Sequence, residues 1–163
     1  MKSLNANSMA YEMKDFMMHE MGEMAHFQME MPSGMFCFTN WAFIYMSECL
    51  KTGKRSMMRY PYGMYALTEL MWEMEGENTW RLSFMMGGRH FMMEFGKERL
   101  ENMRSLYKSL LWLGEMMSYH IERPNGEVLG QGSINRFKTL CQECMSHRMA
   151  ADFGFVFEKM MGA

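Results

Sequence analysis

The amino-acid sequence predicts one α+β domain over residues 1–163, in which a mainly antiparallel sheet is built around a three-stranded meander at residues 64–95. Two turn signals divide residues 64–95 into three segments in which apolar and polar side chains alternate. An apolar stripe at helical spacing follows over residues 97–117, so we expect a long helix, and further helices beside it, to pack on the sheet. A chain of 163 residues is long enough to bury one such core.

The second turn of the meander is Gly87-Gly88. It suits a two-residue hairpin loop, because such loops need positive φ angles that glycine adopts without a Cβ clash. The loop sets Met86 opposite Arg89 and fixes every pair beyond them. These pairs are Met85 with His90, Phe84 with Phe91, Ser83 with Met92, Leu82 with Met93, Arg81 with Glu94 and Trp80 with Phe95.

The first turn of the meander is Gly76-Glu77-Asn78, which we interpret as a three-residue loop with Asn78 in the left-handed conformation. A four-residue loop would pair Glu73 with Trp80 and mix apolar with charged side chains on one face. The three-residue loop instead pairs Glu75 with Thr79, Met74 with Trp80, Trp72 with Leu82 and Leu70 with Phe84.

This register gives the meander two different faces. Burying a large apolar side chain is worth roughly 1.5–3 kcal/mol, so the apolar face must be covered. It carries Leu70, Trp72, Met74, Trp80, Leu82, Phe84, Phe91, Met93 and Phe95. The opposite face, here called the mixed face, carries Glu69, Met71, Glu73, Arg81, Ser83, Met85, His90, Met92 and Glu94. On it Arg81 lies in a cross-strand row between Glu73 and Glu94.

Upstream of the meander we expect a helix, a hairpin and a second helix. Methionines at helical spacing predict a helix over residues 9–21 that begins at Ser8 and ends at Gly22, although a strand over residues 9–13 stays open. Alternation predicts a hairpin of Ala25–Met31 with Met35–Thr39. Asn40 is positioned to cap a helix over residues 41–51 that ends near Gly53.

The segment that follows, residues 51–63, contains four cations among aromatic residues. Such a run can hold a nucleic-acid strand, but more often it is a solvated loop. Because the net charge of the chain is -2, we expect a loop and no nucleic-acid partner. The cations are Lys51, Lys54, Arg55 and Arg59.

Downstream, the helix over residues 97–117 has a broad apolar stripe. Leu106, Trp112 and Leu113 widen it, so the helix is buried either on two sides within the chain or on one side in a second subunit. We then expect a hairpin of 119–123 with 127–130, a helix over 133–149 and a final strand. The stripe comprises Leu100, Met103, Tyr107, Leu110, Leu111 and Met117, and the strand carries Phe153, Phe155 and Phe157.

The composition is unusual in having 27 methionines beside very few valines and isoleucines. Methionine is flexible and polarisable, so it suits both irregular cores and adaptable binding surfaces. Because the methionines follow the core periodicity, we interpret most of them as core residues. No apolar run reaches the length of a membrane span and no signal-peptide core is visible, so a cytoplasmic location without disulfides is expected.

The sequence contains none of the common cofactor or catalytic motifs. Cys141, Cys144 and His147 resemble part of a zinc or redox site, but a structural zinc site needs four ligands, so we interpret them as helix residues. Cys37 on a strand and Cys49 on a helix are also interpreted as structural. We therefore expect no metal and no cofactor.

The mixed face is the candidate ligand-binding site, through Glu69, Met71, Glu73, Arg81, Met85, His90, Met92 and Glu94. It has the charges of a solvated sheet surface, but its three methionines indicate that something partly covers it. Our leading hypothesis is a non-catalytic binding module. It would bind an apolar small molecule or a partner chain on the mixed face, or in a groove between sheet and helix.

Two other hypotheses stay open. One is a small enzyme in which His90 works with Glu69 or Glu94 as a general acid–base pair. The other is a homo-oligomer with Trp112 and Leu106 at the subunit contact. A covered, concave mixed face would favour the enzyme, and a flat, hydrated one would argue against it.

Overall fold

The computed structural model describes residues 13–32, 34–62, 64–122 and 152–162, which form two antiparallel sheets and two helices. The first sheet consists, in order, of β1 (Ala25–Met31), β2 (Gly34–Thr39), β3 (Ala42–Glu48) and β4 (Arg55–Pro61). The second consists of β5 (Leu67–Met74), β6 (Thr79–Met86) and β7 (Arg89–Gly96). A 3-10 turn at Lys97–Arg99 leads into α1 (Leu100–Glu122), and α2 is Gly154–Met161. The predicted α+β class is confirmed.

The core lies between the two sheets and the helices. The ring centroid of Phe43 on β3 lies 5.3 Å from that of Phe84 and 4.9 Å from that of Phe91, both on the apolar face of the meander. At the other end of that face, Trp72 packs edge-on against Tyr107 of α1 at 5.7 Å. The first sheet and α1 therefore share the apolar face, which the sequence prediction had assigned to the long helix and further helices.

The register of the meander is largely as predicted. All seven β6–β7 pairs are confirmed, and so are Met74 with Trp80 and Trp72 with Leu82. Met74, however, is 67% exposed although it lies on the apolar face. The expected pair of Leu70 with Phe84 is wrong, because β5 has a bulge between Thr68 and Met71.

The bulge changes which side chains of β5 point inward. Without it Leu67 would face outward, whereas in the structure Leu67 pairs with Met86 and is only 5% exposed. The left-handed residue is Glu69, with φ 52°, and not Asn78. The burial of Leu67 offsets the backbone strain at Glu69. The two-residue period of a regular strand could not reveal this bulge.

Replacing Glu69 with glycine is expected to raise the free energy of unfolding by about 0.5–1 kcal/mol, because glycine adopts a positive φ without a Cβ clash. Chemical denaturation of the purified chain measures this. Glu69→Ala is the matched control, since it removes the same carboxylate but keeps the Cβ, and it should bring no gain. A loss of stability in Glu69→Gly would contradict the bulge geometry.

Residues 41–51 form a strand and a turn, so the predicted helix there is wrong. β3 lies between β2 and β4 and is buried on both faces: Phe43 packs in the main core, and Ile44 packs on the opposite side of the sheet. Aromatic and β-branched side chains favour such a central strand. Cys49 consequently lies in the turn after β3 and not on a helix.

Asn40 does not cap a helix but joins three segments of the chain. Its Oδ1 accepts a hydrogen bond from the Met24 amide at 2.9 Å, and its Nδ2 donates to Asp152 Oδ2 at 3.1 Å. Asn40 O also accepts from the Phe153 amide at 2.6 Å. The start of α2 is thereby fixed to the end of β2.

The predicted loop of cations and aromatics is largely β4, so that expectation is also wrong. The ladder pairs Arg59 with Ile44 and Met57 with Met46. Gly53, with φ 71°, closes the preceding turn, and its amide donates to Cys49 O at 2.7 Å. The cations of this strand lie on the outer side of the first sheet.

Residues 13–24 cross that outer side. Within the predicted helix over 9–21, residues 13–15 are helical and His19–Met21 form a 3-10 turn that ends at Gly22; residues 9–12 lie outside the described ranges. Met13 and Met17 are buried in a second cluster with Cys37, Met35, Ile44 and Met46. The first sheet is therefore apolar on both faces.

A buried ion pair fastens this segment. The Glu23 carboxylate accepts two hydrogen bonds from the Arg59 guanidinium, both 2.9 Å, together with bonds from Thr39 Oγ1 at 2.6 Å and the Met18 amide at 3.0 Å. Burial raises the pKa of Glu23, but these hydrogen bonds outweigh it and hold the pKa below the ordinary value.

The two helices pack on each other. The helix predicted over 97–117 is confirmed and continues to Glu122, so residues 119–122 are not a strand. Residues 153–157 are also not a strand, because α2 buries Phe153, Val156 and Phe157 at helical spacing. Leu106 is fully buried, and Trp112 packs edge-on against Phe155 at 5.6 Å, so both sides of α1 are buried within the chain.

Several predictions fall outside the described ranges. They are the hairpin turn at 124–126 with its strand at 127–130, the helix over 133–149, and the interpretation of Cys141, Cys144 and His147. In the part of the chain that the structure describes, neither helix combines the length and the apolar character that crossing a bilayer requires.

Candidate functional site

The mixed face of the meander is the outer surface of the second sheet. Its side chains form cross-strand rows, of which the central one is Met71, Ser83 and Met92. On one side lies the row of Glu73, Arg81 and Glu94, as predicted. On the other side Met85 pairs with His90, also as predicted, but its partner on β5 is Thr68 and not Glu69, because the bulge shifts the register. The predicted site residues are therefore neighbours, with Glu69 beside them at the bulge.

The charged row is held together by Arg81. Its guanidinium lies 2.9 Å from the Glu94 carboxylate and 2.5 Å from that of Glu75, which borders the mixed face. Glu73, the partner expected from the sequence, attracts Arg81 electrostatically without a close ion pair among the described residues. The carboxylates of Glu75 and Glu94 are 33% and 48% exposed, so each pair contributes little to stability.

The central row is more apolar than an ordinary wet sheet surface. Met71 is 49% exposed and Met92 is 38% exposed, whereas Ser83 between them is only 3% exposed. The flanking residues therefore cover the short serine side chain and leave much of both methionines in water. Met85 in the next row is half-buried.

The geometry provides no feature that favours acid–base catalysis at this face. His90, Glu69 and Glu94, the three residues of the enzyme hypothesis, are all exposed. No covering element or second polar group encloses these three side chains among the described residues of the mixed face.

The mixed face continues into a groove of about 400 Å³ beside the β1–β2 turn. His90, Met92 and Glu94 line it together with Tyr45 and Arg89, which the sequence analysis did not select. The Arg89 guanidinium lies over the rings of Tyr45 and Phe91, at 5.9 Å and 5.8 Å from their centroids. Tyr45 was assigned to a helix, so its place in this groove was hidden until β3 was known.

The groove predicted between sheet and helix does not form where α1 meets β5. A Cβ atom at Gly114 would lie 3.1 Å from the carbonyl oxygen of Leu67, so helix and strand are in direct contact there. The glycine at this point of the stripe is a signal that sequence analysis could have used, because close helix packing favours small residues.

A second groove, of about 410 Å³, lies on the outer side of the first sheet. Ile44, Met46 and Met57 supply its apolar wall, and Phe16 on its rim is 57% exposed. Arg55 and Arg59 also line it, but they form ion pairs with Glu48 and Glu23. Sequence patterns did not reveal this groove, because they predicted a helix and a loop where β3 and β4 pair.

The cysteines in the described chain carry no metal site. Those ranges contain no group of three or more histidine, cysteine, aspartate or glutamate residues placed to hold a metal ion. Cys37 is buried, and burial raises the pKa of its thiol to about 12. Cys49 is exposed, and hydrogen bonds from Thr52 and the turn backbone lower the pKa of its thiol.

Comparison with known proteins identifies relatives of this arrangement. The family model of the bacterial PH domain matches residues 1–113, which include the whole mixed face. The uncharacterised protein YvbH of Bacillus subtilis (strain 168) is 33% identical over 104 residues, 62% of this chain and 51% of YvbH. The chain thus spans about half the length of that curated relative.

Solved structures resemble the fold. A PH-domain-containing bacterial protein from Exiguobacterium sibiricum 255-15 superposes with a TM-score of 0.66 at 27% identity, over 91% of this chain and 92% of that one. A DUF1696 family protein with a pleckstrin-homology domain from Shewanella loihica PV-4 superposes with a TM-score of 0.50 at 22% identity, over 66% and 92% of the two chains. The second likeness concerns the fold alone.

Proposed function

Because the chain belongs to the bacterial PH domain family, we propose that it is a non-catalytic binding module that holds a partner chain on its mixed face. The observation that carries the proposal is the exposure of Met71 and Met92, 49% and 38%, in the middle of a rigid sheet. Rigid elements position a binding surface well, and flexible methionines adapt it to the partner.

The energy available at the central row is enough to matter for binding. Covering the exposed part of one methionine side chain is worth about 1 kcal/mol, so the two together supply roughly tenfold to thirtyfold in affinity. The neighbouring charges contribute less energy while they are solvated, but they select among partners.

The double variant Met71→Ser, Met92→Ser is expected to bind an apolar helix about tenfold more weakly than the unchanged protein, because both methionines lose their contact area. The probe is a fluorescent, uncharged amphipathic peptide with leucine on one face and glutamine on the other. Fluorescence anisotropy measures its dissociation constant.

The matched control is Leu50→Ser, Met64→Ser, which removes two side chains that are 76% and 74% exposed away from the mixed face. It should leave the affinity unchanged. If Phe16→Ser weakens the peptide and the double methionine variant does not, the recognition surface is the groove at Phe16.

That groove supports an apolar small molecule as a second class of ligand. Its volume of about 410 Å³ falls in the range of small-molecule sites. Its apolar lining is supplied by Phe16, Ile44, Met46 and Met57, beside the polar Arg55, Ser56 and Arg59. A neutral dye such as Nile red, titrated against the Phe16→Ser variant, distinguishes this ligand from a partner chain.

A further inference from the structure

We infer that the partner of the mixed face is a cationic amphipathic helix of another chain, an inference that rests on the proposed function of that face. The observation behind it is an excess of carboxylates around the exposed methionines. A protein segment with lysine or arginine beside large apolar side chains complements both features at once.

The charge of the region is clearly negative. The carboxylates of Glu73 and Glu94 lie on the mixed face, and those of Glu69 and Glu75 lie at its borders. Two guanidiniums oppose these four carboxylates, that of Arg81 on the face and that of Arg89 in the adjoining groove. Arg81 is already shared between Glu75 and Glu94. The charge that is left over attracts cations and repels nucleic-acid phosphates and anionic lipid headgroups.

The charges surround the apolar row in a way that fits a helix. Glu73 and Glu94 lie on one side of Met71 and Met92. On the other side lies the row of Thr68, Met85 and His90, with Glu69 next to Thr68 at the bulge. Successive rows lie about 6.8 Å apart along the strands, so the two rows that flank the methionines are roughly 13 Å apart, which leaves room for an α-helix lying along the methionine row. A helix lying there would place apolar side chains on the methionines and cationic ones at the borders.

The centre of the surface is able to accept a bulky side chain. Ser83 is the shortest side chain on the mixed face and stands between two methionines. Methionine changes rotamer at little cost, so Met71 and Met92 can separate to let a leucine or phenylalanine side chain approach Ser83.

The test compares three fluorescent peptides that share one leucine face and carry lysine, glutamine or glutamate on the other. The full chain should bind the lysine peptide at least tenfold more tightly than the glutamate peptide at low salt. This preference should shrink at high salt, because screening weakens exposed charge pairs. Fluorescence anisotropy provides all the dissociation constants.

Charge-reversal variants test whether the preference for the lysine peptide arises at the mixed face. Glu69→Lys, Glu73→Lys should abolish the preference for the lysine peptide, whereas Glu101→Lys, Glu115→Lys should retain it. The second pair makes the same change in net charge at two exposed residues of α1. Equal binding of the three peptides, or equal effects of the two charge reversals, would overturn the inference.

The same measurements distinguish an error in the proposed function from an error in this inference. If the three peptides bind equally and Met71→Ser, Met92→Ser weakens them all, the mixed face binds a partner but charge does not select it. If the methionine variant changes none of the affinities, the binding surface lies elsewhere and both ideas are wrong.

Discussion

Replacing Arg59 with methionine is expected to lower the free energy of unfolding by about 3 kcal/mol, among the largest effects of any single charge removal in the described chain. The Glu23 side chain is fully buried and would keep its charge without its main donor. An unpaired buried carboxylate costs far more than the net contribution of the intact pair. Urea denaturation at neutral pH measures the loss.

The control is Arg81→Met, which removes a guanidinium whose partners are one-third to one-half exposed. That variant should lose clearly less stability than Arg59→Met, since surface ion pairs contribute little. Equal losses in the two variants would contradict the distinction between the buried and the exposed pair.

The Arg59 variant should also show a changed dependence on pH. The folded-state pKa of Glu23 lies below its ordinary value of 4.5, so its pairing stabilises the fold above that value. This contribution is lost as the pH falls through the lowered pKa. The stability difference between the unchanged protein and Arg59→Met should therefore shrink as the pH is lowered from neutral toward 3, roughly the lower end of carboxylate titration.

Replacing Phe157 with alanine is expected to lower the free energy of unfolding by about 4 kcal/mol, the usual size for a buried phenylalanine. Phe157 is 1% exposed and stacks on His26 with ring centroids 5.4 Å apart. Its ring also lies 6.2 Å from that of Phe38 and 6.4 Å from that of Tyr62. Its loss leaves a cavity where α2 meets the first sheet, and thermal or chemical denaturation reports the cost.

Phe155→Ala is the matched control, because Phe155 is half-buried and contacts Trp112 at the side of α1. It should cost about 1–2 kcal/mol. On a strand, Phe153, Phe155 and Phe157 would share one face, and their replacement would have similar effects. Equal losses in Phe157→Ala and Phe155→Ala would therefore contradict the helix.

The sequence predicted best where local geometry decides the structure. The Gly87-Gly88 turn fixes every pair of residues between β6 and β7, because a two-residue hairpin loop allows only one register of the two strands. The hairpin of β1 and β2 was predicted from the alternation of apolar and polar side chains in β1. The long helix was visible because its stripe repeats over many turns.

The sequence predicted less well where tertiary packing decides. β3 buries both faces, so it has no alternation, and its continuous run of large side chains resembles a buried helix. Phe153, Phe155 and Phe157 alternate like a strand, but contacts with β1 and α1 select the helix. The bulge at Glu69 depends on burying Leu67, which no turn residue signals.

The mixed face shows both kinds of outcome. Its rows followed from the register, but the partner of Arg81 at 2.5 Å is Glu75, a residue placed at the strand end where side chains reach diagonally. The grooves beside it and on the first sheet depend on Tyr45 and Ile44, both on a strand that the sequence had assigned to a helix.

The most direct test of the mixed face as a docking surface uses the methionines themselves as probes. Spectra of the chain labelled with ¹³C at the methionine methyl groups, assigned by single substitutions, are recorded during titration with the uncharged leucine–glutamine peptide. We predict saturable shifts of the Met71, Met85 and Met92 signals while Met64, 74% exposed elsewhere, stays unchanged. Shifts confined to the signals of Met46 and Met57 in the other groove, with those of Met71 and Met92 unchanged, would contradict docking on the mixed face.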